Sequence, residues 1–185
     1  AQCVEAGACE PPDSSNATYH SAYYGDPAFD DYPVIFTNWY DADEFCRWRG
    51  ARLPSEAEWE KAAGLEPQEG LKFRFPWGDA FDGTRLNYCD NNCPGGDSDT
   101  TVDDGHRDTA PVGSFLAGAT HFGVVDMVGN VWEWTADWYE SRYYDDSPVS
   151  NPQGPSSGTE GHVLRGGAWN SPTASTSSRI GYRYR

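Results

Sequence analysis

Positive charge is scarce in this 185-residue chain: 13 Lys and Arg face 29 Asp and Glu, for a formal net charge of −16. Phosphate backbones are gripped by clustered Lys and Arg, so nucleic acid is excluded as a partner, and docking on an anionic membrane with it. Long apolar runs are also missing, which excludes a membrane-spanning helix and membrane insertion. The opening AQCVEAGACEPP has neither a basic start nor an apolar stretch, so it is no signal peptide. No period repeats along the chain, which excludes solenoids and propellers.

Aromatic residues, by contrast, are abundant. With 8 Trp, 11 Tyr and 8 Phe the chain has the means to build a core, and disorder is excluded for most of its length. At this size about 70% of the unfolded surface can be buried in one domain. The 20 Gly and 13 Pro speak against long helices. The acidity has two readings, solubility or the binding of a hard cation such as calcium.

The five cysteines are Cys3, Cys9, Cys46, Cys89 and Cys93. Cys3 with Cys9, and Cys89 with Cys93, are each close enough to close a local disulfide, which points to an oxidising compartment: secreted, periplasmic or cell surface. A zinc site is the rival reading, but no C-x-x-C occurs and the four His are scattered.

Residues 1–32 read as an extended, disulfide-clipped lead-in, punctuated by Pro11, Pro12, Gly25 and Pro27 and carrying an Asn16-Ala17-Thr18 sequon. Residues 33–185 read as the domain proper. A first helix is predicted over 38–49, capped by Thr37 or Asn38, with Trp39, Ala42, Phe45, Cys46 and Trp48 on one apolar stripe and Gly50 as its stop. Cys46 is expected there as a buried, reduced thiol. A second helix is predicted over 55–63, opened by the capping box Ser55-Glu56-Ala57-Glu58 and ended by Gly64. Phe73 to Asp79 reads as a short aromatic strand and turn. Residues 89–109 form a long loop of Asp, Asn, Gly and Thr, the kind that is functional, metal-stabilised or disordered. Two apolar stretches follow within 124–135, broken by Gly129-Asn130, and Val163 to Trp169 reads as a strand with a glycine kink. Trp132, Trp134, Trp138 and Trp169 have a core reading and a binding reading, and Trp132 and Trp134 cannot both face the core of one strand.

Five motifs occur in a fixed order: Arg52-Leu53-Pro54-Ser55-Glu56-Ala57-Glu58-Trp59-Glu60, Phe75-Pro76-Trp77-Gly78, Thr109-Ala110-Pro111-Val112-Gly113, Gly123 through Glu133-Trp134, and Arg165-Gly166-Gly167-Ala168-Trp169. From about Pro33 to its end the chain thus resembles the formylglycine-generating enzyme, or sulfatase-modifying factor, family. The resemblance implies an irregular α+β fold related to C-type lectins, with little regular secondary structure. It also implies that both edges of the domain lie outside this sequence: family domains open with a strand and a Gly-rich segment and close on Ile-Gly-Phe-Arg, whereas this chain ends Tyr182-Arg183-Tyr184-Arg185. The missing edges would then lie on other chains that complete or assemble the domain, or in a longer version of this same chain.

The founding activity of the family oxidises a cysteine in a sulfatase peptide to formylglycine, with oxygen and a copper ion held by two cysteines. The corresponding positions here are Ser171 and Thr176, or Gly181 for the second when counted back from the end, and no cysteine follows Cys93. Hydroxyls are poor ligands for soft Cu(I), so no copper is expected. A relative that makes carbon–sulfur bonds uses iron held by three histidines on a helical partner domain, whereas His20, His106, His121 and His162 show no such spacing. The calcium sites of the family do carry over. For the first, Asn87 and Asp104 match the side-chain ligands, with Tyr88 and His106 at the carbonyl positions. For the second, Asp126 and Glu133 match the side chains, with Gly129 and Val131 at the carbonyls. Hard oxygens at irregular short spacing suit calcium, and capping of turns or pairing with Arg is the competing reading of the carboxylates.

Two function classes remain. One is a non-catalytic, calcium-stapled extracellular module that binds a protein, peptide or glycan or builds an assembly. The other is an oxidoreductase of the family, true to type or with altered chemistry.

Overall fold

The structure, a computed structural model, describes residues 1–66, 70–93, 98–171 and 174–185. Regular elements are few and short: α1 (Gln2–Glu5), α2 (Trp39–Trp48), α3 (Glu56–Gly64), β1 (Leu65–Glu66), β2 (Leu71–Lys72), β3 (Glu133–Trp138), β4 (His162–Arg165) and α4 (Ala174–Ser177). The chain is α+β with low regular content, as its glycine and proline imply. Both helices expected over 38–49 and 55–63 are present.

Local chemistry accounts for the helices. The Asn38 side chain accepts from the backbone N–H of Tyr40 and Asp41, and Asp41 accepts from the N–H of Asn38 in return, so α2 opens on a capping box. In α3 the Ser55 N–H donates to Glu58 at 2.8 Å and the Glu58 N–H to Ser55 Oγ at 3.2 Å. α3 ends at Gly64, and an added Cβ there would lie 2.5 Å from Ile180 Cδ1, so the glycine also serves close packing.

Three readings need correction. The lead-in is not extended: Cys3–Cys9 closes around the α1 turn, and Pro27–Phe29 form a turn of 3₁₀ helix. Residues 73–79 form no strand; a single bridge joins Phe75 to Gly78, and the strand lies upstream at β2. Cys46 is free but only half-buried, since no residue of α2 is fully buried. Burial, and after it the Asp43 charge, pushes its thiol upward, away from the reactive thiolate.

The core gathers Trp59 and Ala63 of α3, Leu86, Tyr88, Met127, Val128 and Ile180. Beside it β3 pairs antiparallel with β4, Glu133 opposite Arg165 and Trp134 opposite Leu164, with an irregularity before Trp138 meets His162. Tyr184 bridges Leu164 on the other side. Indole N–H groups tie α2 and its cap to this sheet: Trp39 donates to Thr135 O at 2.8 Å and Trp134 to Thr37 O at 3.2 Å. Trp132, Trp134, Trp138 and Trp169 are all half-buried, Trp132 stacked on Tyr184. His162 lies between Trp39 and Trp138, each ring centroid 3.9 Å away. Among the described residues no helix is long and apolar enough to cross a membrane.

Candidate metal and ligand sites

The lead-in positions the long acidic loop. Tyr23 hydroxyl bonds the Pro33 carbonyl and Thr109 Oγ1, His20 Nε2 lies 3.3 Å from Asp108, and the Val112 N–H donates to Asp31 O. Cys89–Cys93, with Cα atoms 4.9 Å apart, closes the near end of the loop, and Tyr88 hydroxyl holds Asp99 at 2.8 Å.

Within this frame the predicted residues fall on two adjoining segments. The backbone of Asn87 meets that of the 129–130 turn: Asn130 N–H donates to Asn87 O at 2.9 Å. A Cβ at Gly129, whose φ is +81°, would lie 2.4 Å from the same oxygen, so only glycine permits the approach. Asn87 is 2% exposed, and its amide nitrogen donates to Asp108 O at 2.7 Å and to Asn130 Oδ1 at 3.3 Å. That fixes the amide orientation and leaves Asn87 Oδ1 buried with no partner. Asp104 accepts from the His106 N–H through Oδ1, and its Oδ2 is likewise buried and without a partner. The Asp104 N–H in turn donates to Asp90, whose carboxylate is fully buried and also caps Asn92. Burial, and the neighbouring Asp90 charge, push Asp104 well above the usual carboxylate range, with the His106 N–H opposing. Buried oxygens without donors are costly unless a cation or water meets them.

On the other segment Asp126, at φ +60°, accepts the Gly113 N–H at 2.6 Å. Glu133 leaves β3 toward Trp59 and accepts its indole N–H at 2.5 Å. The enclosed Glu133 carboxyl is pushed up to about 7, by burial first and by Asp126 as well, with the Trp59 N–H opposing. Burial also raises Asp126. No ion pair to Lys, Arg or His involves either of them among the described residues. Among the described residues no three His, Cys, Asp or Glu side chains converge as a metal cluster. A cation held here would therefore draw on two side chains and neighbouring carbonyls at each position. The donor set, amide, carboxylate and carbonyl oxygen, fits a hard cation.

Asp90, Asp108 and Asn130 belong to this cluster and were not singled out from sequence. Asn130 holds it together, its amide exchanging bonds with Ala110 N–H and O at 2.9 and 3.1 Å. The one hint was its place after Gly129 in a turn.

The positions of the copper ligands look different. Ser171 is 5% exposed, and its Oγ accepts the Ala168 N–H at 3.0 Å. Thr176 lies exposed on α4. After Thr176 the backbone of Ser177 and Ser178 packs against Gly167, and Ser178 Oγ is buried without a partner. Two hydroxyls, one already engaged, do not suit a soft copper ion.

Comparison with known proteins agrees with this fold. The family described as sulfatase-modifying factor enzyme 1-like domain matches residues 1–183. The chain is 41% identical over 143 residues to the formylglycine-generating enzyme of Streptomyces coelicolor, covering 75% of this chain and 42% of that protein. It is 38% identical over 140 residues to the inactive C-alpha-formylglycine-generating enzyme 2 of Bos taurus, covering 75% and 39%. PvdO from Pseudomonas aeruginosa superposes with a TM-score of 0.67 at 24% identity, over 99% of this chain and 67% of PvdO. The chain thus spans less than half the length of these curated relatives. With the match running over nearly every residue, the chain belongs to the sulfatase-modifying factor family of formylglycine-generating-enzyme-like domains.

Proposed function

We propose that this chain is a non-catalytic module of its family, held by calcium and working outside the cytosol as a binding or structural domain. The observation that carries the reading is the pair Ser171 and Thr176 where the founding enzymes hold copper through two thiolates. A hydroxyl neither binds Cu(I) well nor gives up an electron readily. A relative 38% identical carries the name of an inactive enzyme, so loss of chemistry on this fold has a parallel.

Calcium would be held at one position by Asn87 and Asp104 side chains with the Tyr88 and His106 carbonyls, and at the other by Asp126 and Glu133 with the Gly129 and Val131 carbonyls. The unpartnered Asn87 Oδ1 and Asp104 Oδ2 support the first position. The ion would be structural, stapling loops that lack a hydrogen-bond ladder. Two disulfides support an exported protein, secreted, periplasmic or on the cell surface. The ligand is a protein, peptide or glycan, or other chains of an assembly.

The test is direct. Incubated with copper, oxygen and a Cys-x-Pro-x-Arg peptide, the protein gives no aldehyde by mass spectrometry. Aldehyde formed at a rate that Ser171→Ala or Thr176→Ala abolishes would overturn the reading in favour of an oxidoreductase.

A further inference from the structure

Cations are unevenly placed in this acidic chain. The first 46 residues hold nine Asp and Glu and no Lys or Arg. Two adjoining clefts, of about 460 and 650 Å³, share Glu60, Lys72 and Gly181 in their walls. Their described lining includes five of the 13 cationic residues, Lys61, Lys72, Arg74, Arg179 and Arg183, and of the 29 acidic ones only Glu60. Both lysines of the chain are among them.

The balance of charge behind the wall matters. Arg183 is matched by buried Glu56, at 2.6 and 2.8 Å, so it offers little free charge. Glu60 is held at 2.8 Å by buried Arg165 and at 3.3 Å by Lys72, so the single lining carboxylate is already compensated. The surplus comes from Lys61 and Arg74, both exposed, and in part from exposed Lys72, which shares Glu60 with Arg165. Phe73 and Tyr182 in one cleft, and Pro148, Val149 and Pro152 in the other, supply apolar wall. Val149 is fully exposed. A cleft of one sign with apolar walls concentrates ligands of the opposite sign.

We propose that this groove binds a short acidic peptide segment of another protein, its carboxylates paired with Lys61, Lys72 and Arg74. Each cleft has the size of a ligand pocket, roughly 300–1,000 Å³, and end to end they suit an extended segment. Size also selects the occupant. At physiological salt the field reaches about 8 Å, so a segment lying in the groove feels mainly the local cations. A second copy of the whole chain would bring its own charge of −16 against this one.

The inference names the ligand class for the binding-module reading and rests on it, yet the two fail differently. Aldehyde formation overturns the module, whereas the experiment below, failing alone, overturns only the groove. A rhodamine-labelled six-residue Asp/Glu peptide and its Asn/Gln counterpart are titrated with the full chain in calcium-containing buffer, by fluorescence anisotropy. The acidic peptide binds saturably, the amide peptide at least tenfold more weakly. Raising salt from about 50 to 300 mM weakens binding several-fold. Lys61→Glu with Lys72→Glu costs at least tenfold, and Arg52→Glu, outside the groove, changes nothing. Arg74→Glu gives a second, independent loss. Thermal melting and near-ultraviolet circular dichroism verify that each variant is folded. Equal binding of both peptides, no saturable binding, retention in all groove variants, or signal arising only from self-association measured by ultracentrifugation would each overturn the proposal.

Discussion

Glu56 on one side of the core and Asp104 on the other are carboxylates whose enclosed oxygens are handled in opposite ways. On the α3 side Glu56 is completely buried and completely answered. One oxygen accepts from Arg165 Nη1 at 2.9 Å and Arg183 Nε at 2.6 Å, the other from Arg183 Nη2 at 2.8 Å and Tyr144 hydroxyl at 3.2 Å. On the loop side Asn87 Oδ1 and Asp104 Oδ2 are buried with nothing to accept from. Glu56 has its counter-charges in the chain itself, although Asp137 beside it keeps a buried Oδ1 without a partner, while on the loop side the counter-charge would come from the calcium proposed above. The first arrangement is a lock among α3, β4, the 141–147 loop and the C-terminal residues. The second is the socket proposed for calcium, where burial, and after it a neighbouring carboxylate, raises Asp104 and Glu133.

The sharpest way to break this contrast is to remove the lock. Glu56→Ala leaves Arg183 without its carboxylate and buried Arg165 with Glu60 alone, and the expected loss is about 3–5 kcal/mol. Urea denaturation measures it, and a loss under about 1 kcal/mol would show that the lock is unimportant. Chelation, which tests the calcium proposed for the socket, comes next. Saturating calcium at about 100 times its dissociation constant stabilises by about 2.7 kcal/mol. A chelator is therefore expected to lower the melting temperature, with Asp104→Asn or Glu133→Gln reproducing part of the drop and blunting the response to calcium. Superimposable curves with and without chelator would return the acidity to a solubility role.

The smallest effect concerns neither side but the sheet between them. His162, wedged between Trp39 and Trp138, has its pKa lowered by burial, against the pull of the Ala136 carbonyl. The unfolded chain then takes up a proton first as pH falls below about 6.5, so stability is complete above that pH and declines below it, until the folded ring is protonated as well. Melting between pH 7.5 and 5 checks this, with His162→Gln flattening the part of the slope that His162 contributes.

Several parts of this architecture could be read along the chain because their causes are local. The α3 capping box needs only Ser55 and Glu58, three residues apart. The two disulfides need only cysteines six and four residues apart. The glycine kink after β4 needs only Gly166 and Gly167 at φ of +93° and +80°. The family was legible for another reason, an ordered series of motifs. Strand boundaries were not: β3 begins only at Glu133, and its partner lies some 30 residues away.

Composition and spacing alone thus determined the acidity, the helix starts and the local bridges, and the family resemblance added that Ser171 and Thr176 stand where thiolates would. Tertiary structure alone decided that Asn130 and Asp90 join the oxygen cluster, that Cys46 stays half-buried, and that Lys61, Lys72 and Arg74 face one groove. The physical reason is range. A cap or a local disulfide is settled within a few residues, whereas burial and the sum of charges around a point depend on segments that only folding brings within a few ångströms.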